Sequence, residues 1–140
     1  MPSNAEIVAS ARGMVGTKWR HQGRVPGVAL DCAGLIVCVG KELDCMYYDS
    51  TGYQRESAPE GFVQYFREHG KEIPLARMHA GAVLVLTDHK YPCHCGIIGS
   101  NAHGLTLIHA YAFRRRVIEE QLTREWIMRA VGCFEYPRTT

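Results

Sequence analysis

Apolar residues recur at helical spacing through the first half of the chain and in alternating or unbroken runs through the second, so helices precede a sheet. Ser3 and Glu6 have capping-box spacing, and Ile7, Val8, Ala11, Met14 and Val15 then follow a helical period up to Gly16, which predicts a helix over 4–15. Residues 16–30 show neither period and carry three glycines, one proline and the basic side chains Lys18, Arg20 and Arg24, the composition of a long loop. Asp31 can cap a second helix over 32–43; being apolar nearly all round, that helix belongs at the centre of the fold. An irregular stretch over 44–56 leads to a second capping box, Ser57 with Glu60, and to a helix over 58–69 that Gly70 stops.

Beyond Gly70 the period changes to that of strands, over 82–86, 95–98, 105–110, 117–121 and 131–136, with a short helical turn at 123–128. No internal repeat or linker interrupts the chain. The expectation is a single α+β domain over 1–140, with N-terminal helices packed on a mainly antiparallel sheet of about five strands.

With 16 Lys and Arg against 14 Asp and Glu in 140 residues, the formal charge of +2 is too balanced for a dedicated nucleic-acid binder. No stretch reaches the ~18 apolar residues of a membrane span, and the first residues run straight into an amphipathic pattern, not a secretory leader. Synthesis and retention in a reducing cytosol are therefore expected. There the six cysteines, at 32, 38, 45, 93, 95 and 133, point to buried thiols, a metal or a catalytic thiolate before disulfides.

Cys32 follows the capping Asp31 at the first turn of the second helix, where unpaired N–H groups favour a thiolate and can bind an oxyanion. Alone it reads as a packing thiol; a histidine partner makes it a nucleophile. A hairpin centred between Asn101 and Ala102 sets Ile98 against Leu105, Gly96 against Leu107 and His94 against His109, so that two imidazoles share one face. Cys93-His94-Cys95 suggests zinc, but alternation turns the two thiols away from His94, and no Cys-x-x-Cys spacing supports a site, so neither metal nor cofactor is expected. Arg114, Arg115 and Arg116, with Lys18, Arg20 and Arg24, could line a groove for a carboxylate-bearing substrate, and Trp19 is a better candidate than Trp126 for its wall.

Asp31-Cys32-Ala33-Gly34-Leu35-Ile36 resembles the Asp-Cys-Ser-Gly-Leu-Val nucleophile motif of the NlpC/p60 cell-wall cysteine peptidases. His94-Cys95-Gly96-Ile97-Ile98-Gly99 and Ile108-His109-Ala110 resemble the two histidine strands of that family, in the same order. The resemblance implies a papain-like fold. It also implies a metal-free Cys-His-His triad of Cys32 as nucleophile, His94 as base and acid, and His109 as the group orienting His94. The substrate it implies is the peptidoglycan stem peptide, often cut between γ-D-glutamyl and a diamino acid. The positions beside the motifs, Trp19, Arg20, Asp31 and Ala33, become candidates for substrate binding. Three departures stand out: Ala33 replaces the usual Ser, Ala82 follows Gly81 where Asp is common, and Trp19 or Arg20 takes the place of a Tyr.

The size, the missing leader and His21-Gln22-Gly23-Arg24 most resemble the versions in phage tails and gene-transfer agents. That analogy implies virion tail-tip proteins as partners and the cell wall as the place of action. Two rivals remain open: a structural tail-tip component whose triad is little used, and a thiol acyltransferase on the same fold. Cys38, Cys45, Cys93, Cys95 and Cys133 receive no assigned chemistry.

Overall fold

A computed structural model describes residues 1–46, 49, 60–87 and 94–138. Most of the irregular stretch 44–56, Ser57, Pro59 and Cys93 lie outside them. The Ser3–Glu6 capping box forms in both directions and starts α1, Asn4–Arg12. This helix ends three residues earlier than its apolar period suggests: Gly13 caps it, and the chain tightens into turns up to Gly16, at φ 95°, while Met14 stays buried. The loop that follows is not featureless, since β1, Arg24–Val25, and β2, Ala29–Leu30, pair within it. Two-residue strands carry no readable period.

Helix α2, Cys32–Glu42, is capped by Asp31, and its residues Cys32 to Gly40 are all buried. Helix α3, Glu60–His69, ends where Gly70 N–H donates back to the Phe66 carbonyl. The remaining elements are β3 (Glu72–Ile73), β4 (Val83–Leu86), β5 (His94–Asn101), β6 (Gly104–Tyr111), β7 (Arg116–Gln121), the short helix α4 (Arg124–Met128) and β8 (Ala130–Phe134). Six strands form one antiparallel sheet in the order β3-β8-β4-β5-β6-β7, one more than expected because the two-residue β3 joins its edge. Helices and antiparallel sheet together make the α+β, papain-like fold.

Two apolar clusters lie on the two faces of the sheet. Helices α1 and α2 cover one, where Cys95, Ile97, Ile108, Ala110 and Val117 meet Ile7, Leu35, Ile36 and Val39. The other gathers Leu84, Ile98, Leu107, Tyr111 and Ile118 beneath Trp126 of α4. No helix of the described residues is long and apolar enough to cross a membrane.

The hairpin register differs from the sequence expectation by two residues. Ile98 pairs with Leu107 and Asn101 with Gly104, leaving Ala102 and His103 as a two-residue turn. Asn101 stabilises this turn by accepting the His103 N–H at 2.8 Å, and Gly104 supplies the positive φ of 118°. Carried back to the start of β5, this register sets Gly96 against His109, and His94 is not directly opposite His109 but diagonal to it. A shift of two preserves the faces, so both histidines still point to the same side.

Candidate active site

The start of α2 is locked by Asp31, which is 1% exposed. Its Oδ1 accepts the Gly34 N–H at 2.7 Å and the Arg24 guanidinium at 2.9 Å, and its Oδ2 accepts the Gln22 N–H at 2.8 Å. These bonds fold residues 22–24 back over the helix terminus. Gly34 is required there, because a Cβ would overlap the Gly23 carbonyl oxygen. Cys32 is thereby held in the first turn of α2, buried beside the start of β5.

The Cys32 thiol is pulled down to about 6. A hydrogen bond from Cys95 contributes most, burial opposes it, and the hydrogen bond and charge of His94 add to the lowering, while the Asp31 carboxylate pushes the other way. The Cys95 proton has two acceptors within reach, the Cys32 sulfur and the Cys32 carbonyl oxygen at 3.5 Å. In the opposite sense, burial raises Cys38 and Cys45, and lifts Cys133 to about 11.

His94 and His109 are 3% and 0% exposed, and His94 Nε2 lies 2.7 Å from His109 Nδ1. Gly96 makes room for this contact, since a Cβ there would come within 2.8 Å of the Ile108 carbonyl oxygen and crowd His109. The histidines are walled by aromatic rings: Tyr111 stacks on His109 at 5.0 Å, and Trp126 meets His109 edge-on at 5.2 Å and His94 at 6.3 Å. Trp126 therefore flanks the histidine pair, while Trp19 packs against the apolar cluster that contains Cys32.

Trp19 and Arg20 instead line an open cavity of about 610 Å³ with Lys18, His21 and Arg115. The backbone ties this loop to the site, because Arg20 N–H donates to the Leu30 carbonyl, one residue before Asp31. Arg24, expected in the same basic groove, is spent elsewhere on ion pairs with Asp31 and Asp49. Ala33 is wholly buried and, like Asp31, presents no side chain to the surface. Among the described residues no three His, Cys, Asp or Glu side chains are grouped to hold a metal ion.

Sequence reasoning missed Cys95 as a neighbour of Cys32, the Trp126 wall, and Glu120, whose Oε2 lies 2.7 Å from His109 Nε2. The alternation of Ile118 and Glu120 along β7 was the available signal, but using it required the pairing of β7 with β6.

The fold is that of the NlpC/P60 domains. The chain superposes on NlpC2 of Trichomonas vaginalis with a TM-score of 0.70 and 18% identity, covering 99% of this chain and 48% of that one. An NlpC/P60 family protein of Bacillus cereus gives 0.70 and 17%, over 97% and 41% of the two chains. The NlpC/p60 domain of the peptidoglycan hydrolase SagA gives 0.66 and 21%, over 96% and 99%. The chain therefore spans about half or less of the first and second of these and nearly all of the third. No protein-family model matches the sequence, and no curated protein matches it either.

Proposed function

We propose that this protein is a thiol endopeptidase that cleaves peptidoglycan stem peptides, at the bond between γ-D-glutamyl and a diamino acid. The observation that carries the reading is a buried, acidified thiol at a helix N-terminus beside two mutually hydrogen-bonded histidines. The likeness to the domain of a peptidoglycan hydrolase supports the substrate class. Cys32 thiolate attacks the scissile carbonyl, and backbone N–H groups at the start of α2 stabilise the oxyanion. His94, oriented by His109, protonates the leaving amine and then activates the water that releases the acyl group. The cationic cavity around Trp19 and Arg20 would receive a carboxylate of the stem peptide.

Incubating purified muropeptides with the protein and with Cys32→Ala tests the mechanism: product from the first alone is expected, and equal product from both overturns it. Mounting on a virion tail tip belongs to the proposal on the sequence resemblance alone. Co-purification of tail proteins with Cys32→Ala would support it, and failure of every tail protein to co-purify would remove it.

A further inference from the structure

Strand β7 brings another ionisable group to the face that carries the two histidines. Leu107 pairs with Glu120 and His109 with Ile118, so Glu120 is a diagonal neighbour of His109, as His94 is on the strand to the other side. The side chains close this diagonal with two short contacts, His94 Nε2 to His109 Nδ1 at 2.7 Å and His109 Nε2 to Glu120 Oε2 at 2.7 Å. The groups facing Glu120 are His109 from β6, the Trp126 indole from α4, which donates to it, and the positive charge of Arg114. The hydrogen bond from His109 leads these in holding the carboxyl below its ordinary range, so it is ionised wherever the thiol is active. The groups facing Cys32 are Cys95, His94 and Asp31.

An ionised carboxylate only accepts, so the proton of a neutral His109 sits on Nε2, and Nδ1 is its lone-pair nitrogen. His94 must then donate its Nε2–H to that lone pair. This leaves His94 Nδ1 unprotonated, and Nδ1 is the nitrogen left for Cys32.

We infer that Glu120 is a positioning residue that fixes the proton arrangement of both histidines and so makes His94 Nδ1 the base for Cys32. The inference rests on Cys32 being the nucleophile. In the activating step the S–H bond of Cys32 breaks and its electron pair stays on sulfur. The proton forms a new N–H bond at His94 Nδ1, while Glu120 remains ionised and takes no proton. Without the carboxylate, His109 can carry its proton on Nδ1 and donate to His94 Nε2. That moves the His94 proton to Nδ1, where it cannot accept one from sulfur.

Nitrogen-15 NMR of the imidazoles in the full chain tests this directly: protons on Nε2 of both neutral histidines support it, and a proton on His109 Nδ1 overturns it. The second measurement is the pH profile of Cys32 alkylation by iodoacetamide in Glu120→Gln and Glu120→Ala. The thiolate limb should move up by about one pH unit, a tenfold loss of rate below that limb. On muropeptides kcat should fall by roughly tenfold to a hundredfold, with KM within about twofold. A folded variant with the wild-type alkylation profile overturns the inference. NMR and alkylation need no wall substrate, so they separate failure of this relay from failure of the peptidase reading, which the Cys32→Ala incubation reports.

Discussion

Cys32 and Cys133 are both buried thiols, one in the core on the helix-covered face of the sheet and one in the core on the opposite face, yet they are driven in opposite directions. Cys133 is 0% exposed among apolar neighbours, and burial lifts it to about 11. Burial also raises Cys32, but hydrogen bonds from Cys95 and His94 overcome it and bring the thiol to about 6. Burial alone therefore makes a thiol inert; burial beside donors that favour the anion makes it reactive. Position supplies those donors. The start of α2 meets the start of β5, where successive residues of opposite facing, His94 and Cys95, both reach the same sulfur.

The sharpest break in this comparison is removal of the sulfur itself. Cys32→Ala should lower muropeptide cleavage by roughly a thousandfold or more, while Cys133→Ala leaves the rate within about twofold. Next, His94→Ala removes both a hydrogen bond and a charge from Cys32. Wild-type alkylation should fall away as pH drops through about 6, because the thiol reprotonates there. In the variant that midpoint moves toward the ~8.5 of a free thiol, and the rate at pH 6.5 drops at least about tenfold, as measured by mass spectrometry of the labelled peptide. Cys133 should resist labelling throughout this range in both proteins.

Asp31→Ala attacks the mounting of Cys32 instead of its chemistry. It removes the cap of α2 and one of the two carboxylates paired with the Arg24 guanidinium, so a loss of about 3 kcal/mol in urea unfolding is expected. Cys95→Val removes the leading donor to the Cys32 sulfur while keeping an apolar side chain on the helix side. The alkylation midpoint should rise by about one pH unit, and an unchanged midpoint would leave His94 as the sole cause. The smallest effect belongs to Tyr136→Phe, after β8, whose hydroxyl donates at 2.6 Å to the Ile36 carbonyl of α2. About 1 kcal/mol of stability should go, with no change in the alkylation profile.

Much of this was legible because it is local. The Ser3–Glu6 box, the Asp31 cap, the apolar α2 and the strand periods each depend on residues within a few positions of one another, and each forms as expected. The two histidines fall on one face because alternation in strands survives a register error of two residues. The register itself was misjudged because it depends on which residues turn, and the bond from Asn101 to the His103 N–H is a detail that composition does not rank.

The sequence by itself determined the order of helices and strands, the place of Cys32 at a helix start, and the shared face of His94 and His109, since short-range sterics and side-chain period dictate all three. Only the tertiary structure decided what surrounds them. Trp126 folds over the histidines, Cys95 meets Cys32 from the helix side, Arg24 leaves the basic groove for Asp31, and Glu120 closes the diagonal across three strands. Apart from Arg24 and Asp31, seven positions apart, each of these joins residues of different elements. Their meeting is set by strand register and helix packing, which depend on the whole core closing at once.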